Sequence, residues 1–211
     1  MPEDSGSSVI VLYPESQPEA ARMLGRAFAD DPLFRAIVPQ MADPAARALA
    51  LGELFTVMFA VERRSGQPSF GLIRGGQVVA AAVTEGALRP STLETVMPGL
   101  GQAPRLLRAI GIDGVARALS VFRVLARSHP PEPHIYLQAI GVEPAWQRRH
   151  LGGALLEHLR DQARARADVT GVYLETATEI NVAYYIARGY EVIGEVHPLG
   201  VRMWRMYQRV R

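Results

Sequence analysis

The hydrophobic pattern alternates between strand and helix periods along most of the chain. Val9, Ile10, Val11 and Leu12 form a short β-branched run that predicts a first strand. Ser16, Gln17, Pro18 and Glu19 follow as an N-cap residue with proline at a helix start, predicting a helix that continues through residue 29. It stops at Asp30-Asp31-Pro32, because proline disfavours helical geometry in the residue before it. Asp43-Pro44 repeats the opening signature. Leu49, Leu51, Leu54, Phe55, Met58 and Phe59 then recur at helical spacing up to Arg63, predicting a strongly amphipathic second helix. Residues 70–74 and 77–84 flank Gly75-Gly76, a turn that supplies the positive φ values of a tight hairpin.

Residues 89–129 contain no convincing strand; 91–97, 103–110 and 114–127 carry helical spacing separated by glycine and proline, so this stretch reads as a helical insertion between strands. Strand alternation returns at 135–142, with Ile135, Leu137, Ala139 and Gly141 on one face and Tyr136, Gln138, Ile140 and Val142 on the other. It ends near Glu143-Pro144. From Leu151 a helix places Leu155, Leu156, Leu159 and Ala163 inside and Glu157, Arg160, Arg164 and Arg166 outside. Residues 172–176, 190–195 and 201–208 read as strands and 181–187 as a short helix. The last strand fits either a sheet edge or a pairing across a dimer, so a monomer and a homodimer both remain open.

Length and composition then bound the function. A chain of 211 residues with 48% apolar side chains suits one domain over residues 9–211, preceded by a loose polar tail over 1–8. The longest near-continuous apolar run, 55–61, is too short to span a bilayer, and the start lacks the charged and apolar segments of a secretory signal, so a cytoplasmic protein without a membrane span is expected. Every basic residue is Arg, which raises the sequence pI to about 9.2 while the formal net charge is only +2. That balance argues against nucleic acid, whose phosphates need a clustered basic surplus. The absence of Cys excludes thiolate catalysis and Cys-ligated metal sites, and no metal is expected.

The segment that carries chemistry is a strand, a polar turn and a helix opening on glycine, from Ile140 through Gly152, Gly153 and Ala154 to Leu156. Unpaired N–H groups at a helix start attract anions, and glycine lets a phosphate approach the backbone. Here Gln147-Arg148-Arg149-His150-Leu151-Gly152 resembles the Q/R-x-x-G-x-G/A pyrophosphate loop of the GNAT acetyltransferase superfamily. Downstream, Leu174-Glu175-Thr176, Asn181 and Tyr185-x-x-x-Gly189-Tyr190 resemble the same superfamily's strand, Asn-containing helix start and terminal motif. Through Ala27-Phe-Ala-Asp-Asp-Pro32, Pro133-His-Ile-Tyr-Leu137 and Leu174-Glu-Thr176 the chain is most similar to puromycin N-acetyltransferase-like members. His150 departs from the pattern, standing where the loop's first glycine belongs; it reads either as an exposed helix-start residue or as a phosphate contact.

The resemblance implies an α/β (α+β) GNAT fold with a mixed, mostly antiparallel twisted sheet, helices on both faces, and strands splayed at the cofactor site. It implies acetyl-CoA as donor and a small-molecule amine as acceptor. Backbone groups near Ile140, Gly141 and Val142 would meet the pantetheine arm and thioester, and the loop from Gln147 through Arg148, Arg149, His150, Leu151, Gly152, Gly153 and Ala154 the pyrophosphate. Asn181 would contact the cofactor or cap its helix. Presenting a neutral amine of pKa about 10 at pH 7 costs roughly 4 kcal/mol, so a base is useful. Glu175, inside an apolar strand, is the candidate, with an Arg-paired structural carboxylate as its alternative. Tyr185 matches the family's acid, which protonates the departing thiolate, while Tyr184 reads as packing.

Asp30 and Asp31 suit either a cationic acceptor or helix ends and turns, and His134 reads as structural. The apolar content of the helix after Asp43 and of the 89–129 insertion favours a partly hydrophobic amine. A non-catalytic CoA-binding sensor and an acetyltransferase acting on protein amines are the alternatives. A dinucleotide oxidoreductase lacks its required G-x-G-x-x-G.

Overall fold

The computed structural model describes residues 8–62, 67–86 and 92–211. Residues 1–7 of the tail expected over 1–8, the helix end at Arg63 and the insertion's start at 89–91 lie outside these residues. In chain order the elements are β1 (Ile10–Val11), α1 (Gln17–Ala27), α2 (Pro32–Ile37), α3 (Pro44–Glu62), β2 (Phe70–Arg74), β3 (Gln77–Glu85) and α4 (Thr92–Ser128). Then come β4 (His134–Val142), α5 (Leu151–Ala165), β5 (Gly171–Thr176), α6 (Glu179–Ile186), β6 (Glu191–Val196) and β7 (Met203–Arg209). Single 3-10 turns follow β4 and β6, at Pro144–Trp146 and Pro198–Gly200.

One sheet runs in the order β1-β2-β3-β4-β5-β7-β6. Every pair is antiparallel except β4 with β5. This is the expected mixed sheet, and the Gly75-Gly76 turn, with φ of 55° and 77°, joins β2 to β3 as read. β7 lies inside the sheet, between β5 and β6, which corrects the expectation of an edge or cross-dimer strand. Its buried residues Met206 and Tyr207 already have partners on both sides, Leu174 and Tyr173 in β5 and Val192 and Glu191 in β6.

The parallel pairing of β4 and β5 extends only from His134↔Gly171 to Leu137↔Leu174. β4 continues for five more residues, bonded to β3 alone, so the two strands part. The register with β3 jumps from Val83↔Ala139 to Thr84↔Leu137, leaving Gln138 as an extra residue in β4. A bulge of this kind offsets side-chain alternation. Ile135 and Leu137 therefore pack with α5, whereas Ala139 packs with α1 and α3, and the single face predicted for residues 135–141 is split.

Two cores flank the sheet. α5 fills one with Leu155, Leu156, Leu159 and Ala163, the stripe its 3.6-residue period predicts. On the other face, α1, α3 and α4 contribute Met23, Leu24, Leu51, Phe55, Phe59 and Ile110. α3 is not strongly amphipathic: Leu51, Phe55 and Phe59 are buried, yet Leu49 is 72% exposed. Its residues 44–61 are apolar and long enough to cross a membrane, a length hidden from a search for uninterrupted runs because Arg47, Gly52 and Glu53 punctuate it. α4 replaces the three expected helices with one helix broken only at Gly111 (φ 71°), so the Pro98 and Pro104 regions do not interrupt it.

Pro32 does more than end α1. The Asp31 carboxylate accepts from the N–H groups of Leu33 and Phe34 at 2.9 and 3.3 Å, opening α2, an element absent from the sequence expectation. Asp43 does the same for α3, accepting from Ala45 and Ala46.

Candidate active site

The opening between β4 and β5 sets the site. The Glu143 N–H donates to the Val79 carbonyl at 2.9 Å, so alternation along β4 turns the backbone groups of Ile140 and Val142 away from β3 and into the gap. Gly141 faces the other way. A Cβ there would lie 2.7 Å from Leu24, 3.1 Å from Ala27 and 3.3 Å from Phe28, so its missing side chain lets α1 close over the strand. Beyond Val142 the chain is tied down twice: Arg26 forks onto Glu143, with Nη2 to Oε2 at 2.6 Å, and the Gln147 amide donates to the Val142 carbonyl at 3.3 Å.

The turn 147–150 delivers the start of α5 to the same opening. Ala154 donates back to the His150 carbonyl, so the N–H groups of Leu151, Gly152 and Gly153 belong to the unpaired first turn of a fifteen-residue helix. Arg148 and His150 both have φ of 62°, the left-handed region that glycine tolerates best. His150 is exposed and its side chain makes no capping bond, which matches the helix-start alternative. His150→Gly is therefore expected to stabilise the fold by about 1 kcal/mol, read as a rise of about 2–4 °C in Tm, with acetyl-CoA affinity in calorimetry no weaker than wild type.

Around this helix start the structure gathers residues from α6 and the turn after it. The Tyr184 hydroxyl and the Arg188 guanidinium would each lie 3.3 Å from a Cβ at Gly152 and Gly153 respectively. Arg188 stacks on the Tyr184 ring at 3.6 Å and donates to the Tyr184 carbonyl at 3.0 Å. Arg188 carries no motif signal in the sequence beyond its position directly before the left-handed Gly189. Arg149 stacks on Trp146 at 4.8 Å, while Arg148 is exposed. Asn181 is not a cap: α6 begins at Glu179 behind Thr178, and Asn181 is exposed in its first turn.

Tyr185 is buried on α6 against Tyr184 and Tyr190, with ring centroids 5.7 and 5.5 Å away. Burial, then Tyr184 and Asp31, push its phenol above the ordinary tyrosine range, with Arg188 opposing. A phenol so placed stays protonated throughout the physiological range.

Glu175 meets a different group. The Tyr173 hydroxyl donates to Glu175 Oε1 at 2.8 Å, Tyr136 supplies a second hydrogen bond, and Arg205 stands close enough to donate to the Tyr173 oxygen at 3.4 Å. Burial raises the carboxyl to about 7, against the lowering effects of Tyr173, Tyr136 and Arg205. The carboxylate is held by two phenols, with Arg205 close enough for its charge to act on it, as the Arg-paired alternative expected. His134 is structural, as read: its Nδ1 donates to the Glu132 carbonyl at 2.6 Å, which leaves Nε2 to accept from His129 Nδ1 at 2.9 Å. Asp30 is exposed and paired with Arg47 at 2.9 Å.

A splayed parallel pair, a bulged strand and a helix opening at the gap form a recognisable whole. The model of the acetyltransferase (GNAT) family matches residues 62–190, more than half of the chain. The chain belongs to the GNAT acetyltransferase family. Solved structures agree on the fold of this GNAT protein. A histone acetyltransferase HPA2 and related acetyltransferase from Corynebacterium glutamicum is 23% identical, with 96% of this chain and 95% of that one covered and a TM-score of 0.68. Arylalkylamine N-acetyltransferase 2 from Aedes aegypti is 12% identical, covers 98% and 100%, and has a TM-score of 0.62. A polyamine N-acetyltransferase from Drosophila melanogaster is 16% identical, covers 95% and 98%, and scores 0.52.

Proposed function

We propose that this GNAT protein transfers the acetyl group of acetyl-CoA to the amine of a small molecule by direct attack. The observation that carries this reading is the parting of β4 from β5 beyond Leu137↔Leu174, with the backbone of Ile140 and Val142 turned into the gap and the open first turn of α5 beside it. The residues present fit the donor. Backbone N–H groups of Leu151, Gly152 and Gly153 suit the pyrophosphate, Gly153 leaves room, and Arg188 adds a nearby cation. An N–H in the gap suits the oxygen of a thioester as it gains charge.

The proton inventory is also consistent. The acceptor's ammonium gives its proton to the Glu175 carboxylate, and the free nitrogen bonds to the thioester carbon. As the carbon–sulfur bond breaks, the thiolate takes the Tyr185 proton, and the second proton that the attacking nitrogen sheds as the amide forms restores the phenol. The same burial that raises the Tyr185 phenol raises the pKa of a thiol beside it, which makes the departing thiolate a stronger base toward that phenol. The Tyr185 hydroxyl makes no hydrogen bond to a described residue, and it is not among the sealed, unpaired groups as that of Tyr190 is. The amine-acetylating neighbours from Aedes and Drosophila support a small amine by analogy of fold.

Tyr185→Phe tests the assignment. Thiol release is expected to fall about 100-fold in kcat, with acetyl-CoA affinity in calorimetry within a factor of two of wild type. Equal turnover would remove Tyr185 from the acid role. Absence of acetyl-CoA binding in the wild type would overturn the reaction itself.

A further inference from the structure

Asp31 does more than open α2. Oδ1 accepts both capping bonds, from Leu33 and Phe34, which leaves Oδ2 without a partner among the described residues. Its neighbour Asp30, by contrast, stands in solvent and is neutralised by Arg47. The Asp31 carboxyl is recessed, and burial raises it above the ordinary aspartate range in spite of the two backbone bonds that lower it. A helix start needs no such charge, since Ser, Thr or Asn caps equally well without it. An unpaired recessed carboxylate is costly, so its retention calls for a cation that arrives from outside.

The surroundings say what that cation carries. Phe28, Phe34 and Phe55 form a cluster with centroid distances of 5.0, 5.3 and 5.3 Å, and the first two are only half-buried. Phe34 is one of the residues whose N–H caps onto Asp31. Phe28 would lie 3.3 Å from a Cβ on Gly141, the β4 residue between the two whose backbone faces the gap. Asp31 is also close enough to Tyr185 for its charge to act on the phenol. One negative group and two aromatic rings thus border the proposed acetyl-transfer point.

Resting on the acetyltransferase reading, we infer that Asp31 and the Phe28–Phe34 wall form the acceptor subsite and select a primary monoamine with an aryl or alkyl tail. The ammonium sits on Oδ2, and the tail lies on the rings, where aromatic faces favour both apolar groups and the adjacent cation. A polyamine would set its further ammonium groups against the apolar Phe28–Phe34 wall, which offers them no counter-charge.

The test is Asp31→Asn, which keeps a carbonyl oxygen for the α2 cap and removes the charge. With acetyl-CoA saturating, the wild type is expected to acetylate 2-phenylethylamine and hexylamine at least tenfold more efficiently, in kcat/KM, than spermidine. Asp31→Asn should raise the KM for 2-phenylethylamine about 30-fold with kcat within threefold of wild type. Phe34→Ala should raise that KM about tenfold, and both variants should keep wild-type far-UV dichroism. An unchanged KM in Asp31→Asn, or a preference for spermidine, would overturn the inference. Saturation-transfer NMR of 2-phenylethylammonium is run in parallel, so that binding reports even without turnover: binding lost in Asp31→Asn supports the subsite, and no binding to the wild type overturns it. Failure of acetyl-CoA itself to bind in calorimetry strikes instead at the acetyltransferase reading.

Discussion

Glu175→Gln is expected to lower kcat by about 10²–10⁴-fold and, in the same protein, to raise stability at alkaline pH. The two effects have one origin. Burial holds the carboxyl at about 7, so that about half of it is ionised at neutral pH and able to accept a proton from a substrate ammonium, with the ionised share growing as pH rises. Turnover of the wild type should therefore fall as pH drops through about 7, when the carboxylate becomes the acid, and this limb of the pH profile should disappear from the residual activity of Glu175→Gln.

The stability effect follows from the direction of the shift. A folded-state pKa above the unfolded one means that the native protein holds the proton more tightly, so the group's contribution is fully present below pH about 4.5 and is lost as pH rises through about 7. The interval between those values corresponds to about 3 kcal/mol, reduced to roughly 2–3 kcal/mol because the side chain is partly exposed to screening water. Glutamine has no charge to bury. Its advantage over the wild type in urea unfolding should therefore be near zero at pH 4 and grow to about 2 kcal/mol or more at pH 8. A carboxylate whose role was to hold Tyr136 and Tyr173 in place would give the opposite pattern, with the variant less stable at both pH values.

What could be read from the sequence divides along the range of the interactions involved. The Gly75-Gly76 hairpin, the α5 stripe and the turn from Gln147 to Gly153 are set by neighbours a few residues apart, and each was found where its local chemistry placed it. The bulge at Gln138 was not legible, since it exists only relative to the register of β3, and so the inner face of β4 was assigned as one when it is two. α2 was hidden by the double meaning of Pro32, which ends one helix and begins the next. At the site, Glu175 and Tyr185 stood out as a charge in an apolar strand and a motif tyrosine. Their surroundings did not: Tyr136 comes from β4, Tyr173 from β5 and Arg205 from β7, joined only by strand pairing. Asp31 illustrates the same limit. Its two readings, cap and cation site, look identical in sequence and separate only when one oxygen is seen to be occupied and the other not.

Gly25→Val is expected to destabilise the fold by about 3 kcal/mol or more, beyond the usual range for an overpacked core, because the clash is with backbone. A Cβ on Gly25 would stand 2.2 Å from the Ala48 carbonyl oxygen and 2.7 Å from the Gly52 nitrogen, and neither atom belongs to a side chain that rotates away. The helices α1 and α3 must separate instead, opening the core around Met23, Leu24, Leu51 and Phe55. The damage reaches the site, because the same α1 covers Gly141 with Leu24, Ala27 and Phe28, and anchors the turn after β4 through Arg26 and Glu143. The urea midpoint should fall sharply, and the fraction that remains folded should show weakened acetyl-CoA binding. Gly52→Ala is the matched control: its Cβ would meet nothing closer than 3.5 Å, so the helix gains propensity and the unfolding midpoint should stay level or rise by up to about 1 kcal/mol of stability. A similar loss in both variants would mean that any added side chain along the crossing disturbs it; a loss confined to Gly25→Val places the constraint in the closeness of the α1–α3 crossing at Gly25, the contact that sets the height of α1 above the bulged strand.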